Sequence, residues 1–201
     1  MIKIENGKDL FDHIREFDVI LIGTDIYCNM SQGFQRKIML NYPYMLDANM
    51  STRYADKDKL GSIVDRSKEG DPTFALLFIS NGNHRPDLKK ETISYESLEK
   101  CMRLVNILYK GKNVGCTCIG ASRFDGNGDK EKILKILFEN SSNINLTVFD
   151  YEQLSRSEEL KKIRTDELKL KEVDADAYYE AVKKRKAEAE ERFKKNKHAR
   201  Y

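Results

Sequence analysis

The stretch Asp18-Val-Ile-Leu-Ile-Gly-Thr-Asp-Ile-Tyr-Cys-Asn-Met-Ser-Gln-Gly-Phe34 decides the fold. Its first part, Asp18–Gly23, is an apolar run rich in β-branched residues and ended by glycine. That pattern predicts a strand buried on both faces. Gly33–Asn41 follows with apolar positions at Phe34, Ile38 and Met39, a helix closed by Pro43. A buried strand that runs through a small-residue loop into a helix is the start of a crossover unit.

Working outward, the same alternation recurs. Leu60–Val64 and Thr73–Ile79 predict two strands separated by Lys68-Glu-Gly-Asp-Pro72. Ser94–Tyr109 predicts a helix with a stripe of Leu98, Cys101, Met102, Val105 and Leu108, stopped at Gly111. Asn113–Ile119 is a strand, Lys130–Phe138 a helix, and Asn145–Phe149 the last strand. The order, close to β-α-β-α-β-β-α-β-α-β, predicts an α/β fold with a mixed, largely parallel sheet covered on both faces. Ligands of such sheets bind beyond the strand C-termini, in loops that lead into helices.

From Tyr151 the composition changes: Gly and Pro disappear and Glu, Lys, Ala and Arg dominate. Residues 151–201 hold 15 Lys/Arg and 12 Asp/Glu, against 21 of each before them, so the net charge of +3 belongs to this tail. The expected division is a domain over 1–151 and a charged helical tail over 152–201, with helices at about 155–172 and 176–195. A neutral body argues against a nucleic-acid-binding domain, which carries a basic stripe. The run Lys183-Lys-Arg-Lys186 is interleaved with Glu and reads as a solvated helix face. No apolar run reaches the ~18 residues a bilayer span needs. Met1–Gly7 is too polar to resemble a signal peptide. Cys28, Cys101, Cys116 and Cys118 form no CxxC pair, which suits reduced thiols and a cytoplasmic compartment.

Two loops carry candidate chemistry. The first, Gly23–Gly33, opens a helix whose free N–H groups and dipole favour an anion. The second, Gly120-Ala-Ser-Arg-Phe-Asp-Gly-Asn-Gly128, holds three glycines in nine residues and precedes Asp129, a helix cap. Together they can grip a diphosphate; each taken singly also reads as an ordinary turn. His84, in Ser80-Asn-Gly-Asn-His-Arg-Pro-Asp87, is a candidate general base oriented by Asp87, and otherwise an exposed loop histidine. His13 reads as surface. Three scattered histidines give no metal spacing, so no metal and no cofactor are expected.

Asp18–Phe34, Tyr54–Ile63 (YADKDKLGSI) and Gly115–Lys132 (GCTCIGASRFDGNGDKEK) stand in the order and spacing of macro domains, the ADP-ribose-binding family. Residues 1–151 most resemble the small subgroup that includes ADP-ribose 1″-phosphate phosphatases and related phage proteins. The resemblance implies a three-layer α/β/α domain that binds ADP-ribose or a derivative, with removal of a terminal phosphate or an ADP-ribosyl group as the reaction. It implies Asp9 at the adenine amine and Met30, Ser31, Gly33 and Phe34 around the distal ribose and a phosphate. Gly120, Ala121, Phe124 and Gly126 would cradle the diphosphate. Asp25, His84 and Asp125 are the candidates for proton handling. Where the family has Asn after Gly-Cys, this chain has Asp25, whose charge beside a phosphate calls for Arg123 or Lys37 in compensation. Gly126→Val and Asp9→Ala are expected to abolish binding and spare the fold. The alternative is a non-catalytic assembly protein, such as a phage virion component, that docks to a partner or to its own copies through residues 152–201. The compartment implied is then the host cytoplasm or the virion.

Overall fold

A computed structural model of the chain describes residues 1–82, 91–122 and 126–150. The expected tail helices lie outside the described residues, as do His84, Arg123, Phe124 and Asp125. Met1–Asp150 makes one compact unit.

Six strands form one sheet: β1 (Ile2–Asn6), β2 (Val19–Asp25), β3 (Ile63–Arg66), β4 (Thr73–Ser80), β5 (Asn113–Thr117) and β6 (Asn145–Asp150). Their spatial order is β1-β6-β5-β2-β4-β3. Every neighbouring pair is parallel except β3 and β4. The helices are α1 (Gly33–Asn41), α2 (Pro43–Met50), α3 (Tyr95–Leu108) and α4 (Lys130–Glu139), with 3-10 helices at Leu10–Glu16 and Lys57–Lys59. This is the mixed, largely parallel α/β architecture the alternation predicted.

The continuous apolar run of β2 is explained by its place. All seven of its residues are buried, because both sheet faces are covered there. Val19 and Leu21 join Ala75, Leu77 and Ile79 of β4, and Leu98, Cys101, Met102 and Val105 of α3, in one core. On the other face the Tyr42 ring lies 4.4 Å from that of Phe74, beneath α1 and α2.

Three boundaries and the burial of two side-chain positions depart from the expectation. Pro43 does not merely close α1. The Tyr42 N–H ends α1 on the Ile38 carbonyl, and Pro43 then opens α2, a first-turn position where its missing N–H costs nothing. Leu108 is 60% exposed and Tyr109 takes its place inside, since the stripe steps four residues from Val105 rather than three. β3 begins at Ile63, after a turn at Leu60–Ser62, and β5 ends at Thr117. His13 is half-buried, its ring 5.5 Å from that of Phe149.

Candidate functional site

Parallel pairing brings the C-terminal ends of β2, β4, β5 and β6 to one crest of the sheet, where both candidate loops emerge. The first loop is stitched by side chains. Asp25, 1% exposed, accepts the Tyr27 N–H at 2.8 Å and the Asn29 N–H at 3.3 Å. Asn29 in turn accepts the Ser31 N–H at 3.2 Å. These are Asx-type turns, which fold a short loop onto its own backbone. The Ile26 N–H donates to the Ser80 carbonyl at 3.1 Å, and the Ala55 N–H donates to that of Ile26 at 2.9 Å.

Beneath this loop lies a buried polar cluster that no sequence spacing announced. The Lys59 ammonium donates to Thr52 Oγ1 at 2.9 Å and to Cys28 Sγ at 3.4 Å. It also sits 4.6 Å from the Phe78 ring centroid, a cation–π contact. Cys28 adopts φ +55° and is 2% exposed. Burial pushes the Lys59 pKa down, while Cys28, Asp25 and Asp56 pull the other way. Asp25 is thus one of the neighbouring groups that favour the Lys59 ammonium. Of the two cations expected to offset Asp25, Lys37 pairs with Asp9 at 2.5 Å, and Arg123 lies outside the described residues.

The loop ends at an open helix start. Gln32 occupies the N-cap of α1 and gives no side-chain cap bond, and the first turn holds no acidic residue. Gly33, the first residue of α1, has φ +53° and is exposed. Uncapped N–H groups at a helix N-terminus are donors for an anion.

The second loop is built from backbone. The Gly128 N–H donates to the Gly120 carbonyl at 2.9 Å, and the Gly126 and Asn127 N–H groups donate to that of Ser122 at 3.1 and 2.8 Å. The Thr92 N–H donates to the Gly126 carbonyl at 2.9 Å. Gly120 has φ +85°. A Cβ on Gly126 would stand 2.6 Å from the Gly120 carbonyl oxygen. Gly126→Val thus strikes the loop's own backbone, and the expectation that it spares the fold is corrected. Unlike α1, α4 is closed: Asp129 accepts the Lys132 N–H at 2.9 Å.

The remaining candidates divide by exposure. Ser31 and Gly33 are exposed, and Phe34 and Ala121 half-buried. Met30 is 1% exposed, so its side chain is core and only its backbone lines the loop. Asp9, on the turn after β1, caps the Phe11 N–H at 3.0 Å and holds Lys37. Among the described residues no group of three His, Cys, Asp or Glu is placed to hold a metal, and no helix is long and apolar enough to cross a membrane. Cys28, Cys101, Cys116 and Cys118 are all free thiols.

No protein-family model and no curated protein matches the sequence. Solved structures do match the fold. The macrodomain of Mycobacterium tuberculosis DarG is 15% identical, with a TM-score of 0.57 over 74% of this chain and 97% of that one. Thermosipho africanus DarTG in complex with ADP-ribose is 12% identical, with a TM-score of 0.59 over 76% of this chain and 43% of that one. A Trypanosoma brucei macrodomain in complex with ADP is 15% identical, with a TM-score of 0.51 over 76% of this chain and 64% of that one. At these identities the likeness establishes a macro-domain-like α/β fold.

Proposed function

We propose that the Met1–Asp150 unit binds ADP-ribose or a related nucleotide at the crest of the sheet. The observation that carries this is the open N-terminus of α1 beside a glycine-built loop on the neighbouring strand. Gln32 leaves the α1 N–H groups uncapped, and Gly33 brings the backbone to the surface. Gly120 and Gly126 stand where the described backbone of the second loop folds tightly on itself. A diphosphate fits between two such features: the open end of α1 offers N–H groups and a helix dipole, and the glycines of the second loop leave room for close approach. Asp9 supplies an acceptor for a base amine. Two of the structures that share the fold hold ADP-ribose or ADP, which supports the same ligand class here.

Asp25 belongs to the scaffold in this reading. Its carboxylate folds the first loop, and the charge beside the phosphate is offset by Lys59. Removal of a terminal phosphate is the activity to assay once binding is measured, with ADP-ribose 1″-phosphate as substrate.

The test is calorimetric titration of the full chain with ADP-ribose. Micromolar affinity, about 8 kcal/mol, is the expected result. Absence of heat at millimolar ligand overturns the proposal.

A further inference from the structure

At the edge of the sheet, β1 pairs only with β6 among the described strands. The phase of that pairing is fixed at both ends. The Leu146 N–H donates to the Met1 carbonyl, and the Gly7 N–H donates to the Asp150 carbonyl, each at 2.9 Å. In a parallel ladder a residue directs its N–H and C=O to the same side, and successive residues alternate. Met1, Lys3, Glu5 and Gly7 therefore bond β6. Ile2, Ile4 and Asn6 turn their N–H and C=O groups outward.

Among the described residues, two of the devices that blunt such an edge are missing, the bulge and the proline. The register of β1 is regular, with no bulge, and the strand contains no proline. Ile2 and Ile4 are 42% and 41% exposed. The charged residues do not protect the edge, because they complement themselves. Placed antiparallel to a second copy about a twofold axis at Ile4, the strand sets Ile4 against Ile4 and Ile2 against Asn6. These are the outward-facing residues, so they form the hydrogen-bonded pairs. Lys3 then falls opposite Glu5 in the closely spaced, non-hydrogen-bonded pairs, on both sides of the axis. Axes at Lys3 or Glu5 would set like charges against each other and shorten the overlap. Glu5 already carries the charge this pairing needs, with Lys3 and Lys8 of its own chain beside it.

We propose that β1 is a homodimerisation edge, which joins two copies of this chain into one continuous sheet through antiparallel β1–β1 pairing centred on Ile4. Five residues a side bury less than the about 1,200 Å² of a standard interface, so the dimer is weak and concentration-dependent. It is independent of nucleotide binding at the crest.

The test is sedimentation velocity on the full chain from micromolar to millimolar concentration, with circular dichroism as the check on folding. A monomer–dimer equilibrium is expected. Ile4→Pro removes an outward N–H and no β6 bond, and should weaken association at least about tenfold while the chain stays folded. Lys3→Glu and Glu5→Lys, each alone, set like charges opposite and should weaken it similarly. The double variant Lys3→Glu/Glu5→Lys restores the pairing and should recover association. A monomer throughout, or a dimer indifferent to the charge reversals, or a double variant no better than the singles, overturns the proposal. The charge set decides the matter even if Ile4→Pro disturbs the fold.

Discussion

The two crest loops occupy equivalent places, each leaving a parallel strand of the central sheet and entering a helix, yet they are made of different material. The first is folded by side chains: Asp25 and Asn29 gather backbone N–H groups, and the Lys59–Cys28–Thr52 cluster supports it from below. The second is folded by its own backbone, with glycines where any Cβ would intrude. The difference teaches where each loop is vulnerable. A side-chain-built loop fails when an acceptor is removed. A backbone-built loop fails when an atom is added.

The largest expected effect follows from the second loop. The Cβ of Gly126→Val would lie 2.6 Å from the Gly120 carbonyl oxygen and 3.1 Å from the Gly120 Cα, both backbone atoms that cannot rotate away. A loss of about 3 kcal/mol in a urea melt is expected, at the upper end for overpacking. ADP-ribose affinity should fall with it. Wild-type stability in this variant would break the comparison, since the loop would then tolerate added atoms.

The first loop predicts a smaller loss with a sharper chemical signature. Asp25→Ala leaves the Tyr27 and Asn29 N–H groups without their acceptor at a residue 1% exposed. About 2 kcal/mol of destabilisation is expected. Asp25→Asn keeps an acceptor oxygen and should recover more than half of that. Equal losses in the two variants would show that the charge, and so its interaction with Lys59, matters more than the hydrogen bonds.

How much of this was legible in the sequence depends on whether the signal was local. β2, α3 and α4 could be read within a residue or two, because a buried run or a one-sided stripe is written into consecutive positions. The cap Asp129 was legible for the same reason. α2 was not: its buried face, Met45, Leu46, Ala48 and Asn49, includes a polar residue, apolar Tyr44 and Met50 lie only half-buried beside it, and Pro43 looked like a stop. The candidate site divides likewise. The loops and their glycines were visible as composition. The Lys59–Cys28 contact spans 31 residues and the Asp9–Lys37 pair spans 28, distances over which no pattern in one sequence can pair two side chains. Of the two cations named beside Asp25, Lys37 belongs to Asp9 for this reason, and Arg123 lies outside the described residues.

The finest contrast lies between the two helix starts, and it separates binding from stability. Asp129 closes α4 by accepting the Lys132 N–H, whereas Gln32 leaves α1 open. If the α1 N–H groups are kept for a phosphate, a cap added there should trade affinity for stability. Gln32→Asp places a carboxylate where it can accept those N–H groups, and should raise stability by about 1 kcal/mol. The same carboxylate stands in the anion's place and repels it, so ADP-ribose binding should weaken about tenfold or more. Asp129→Ala should do the reverse: lose about 1 kcal/mol of stability and leave the affinity as it was. Thermal melts and calorimetry on both variants read the two quantities separately. An Asp129→Ala protein that loses affinity as steeply as Gln32→Asp would place the phosphate against α4 instead, and the open end of α1 would then need another occupant.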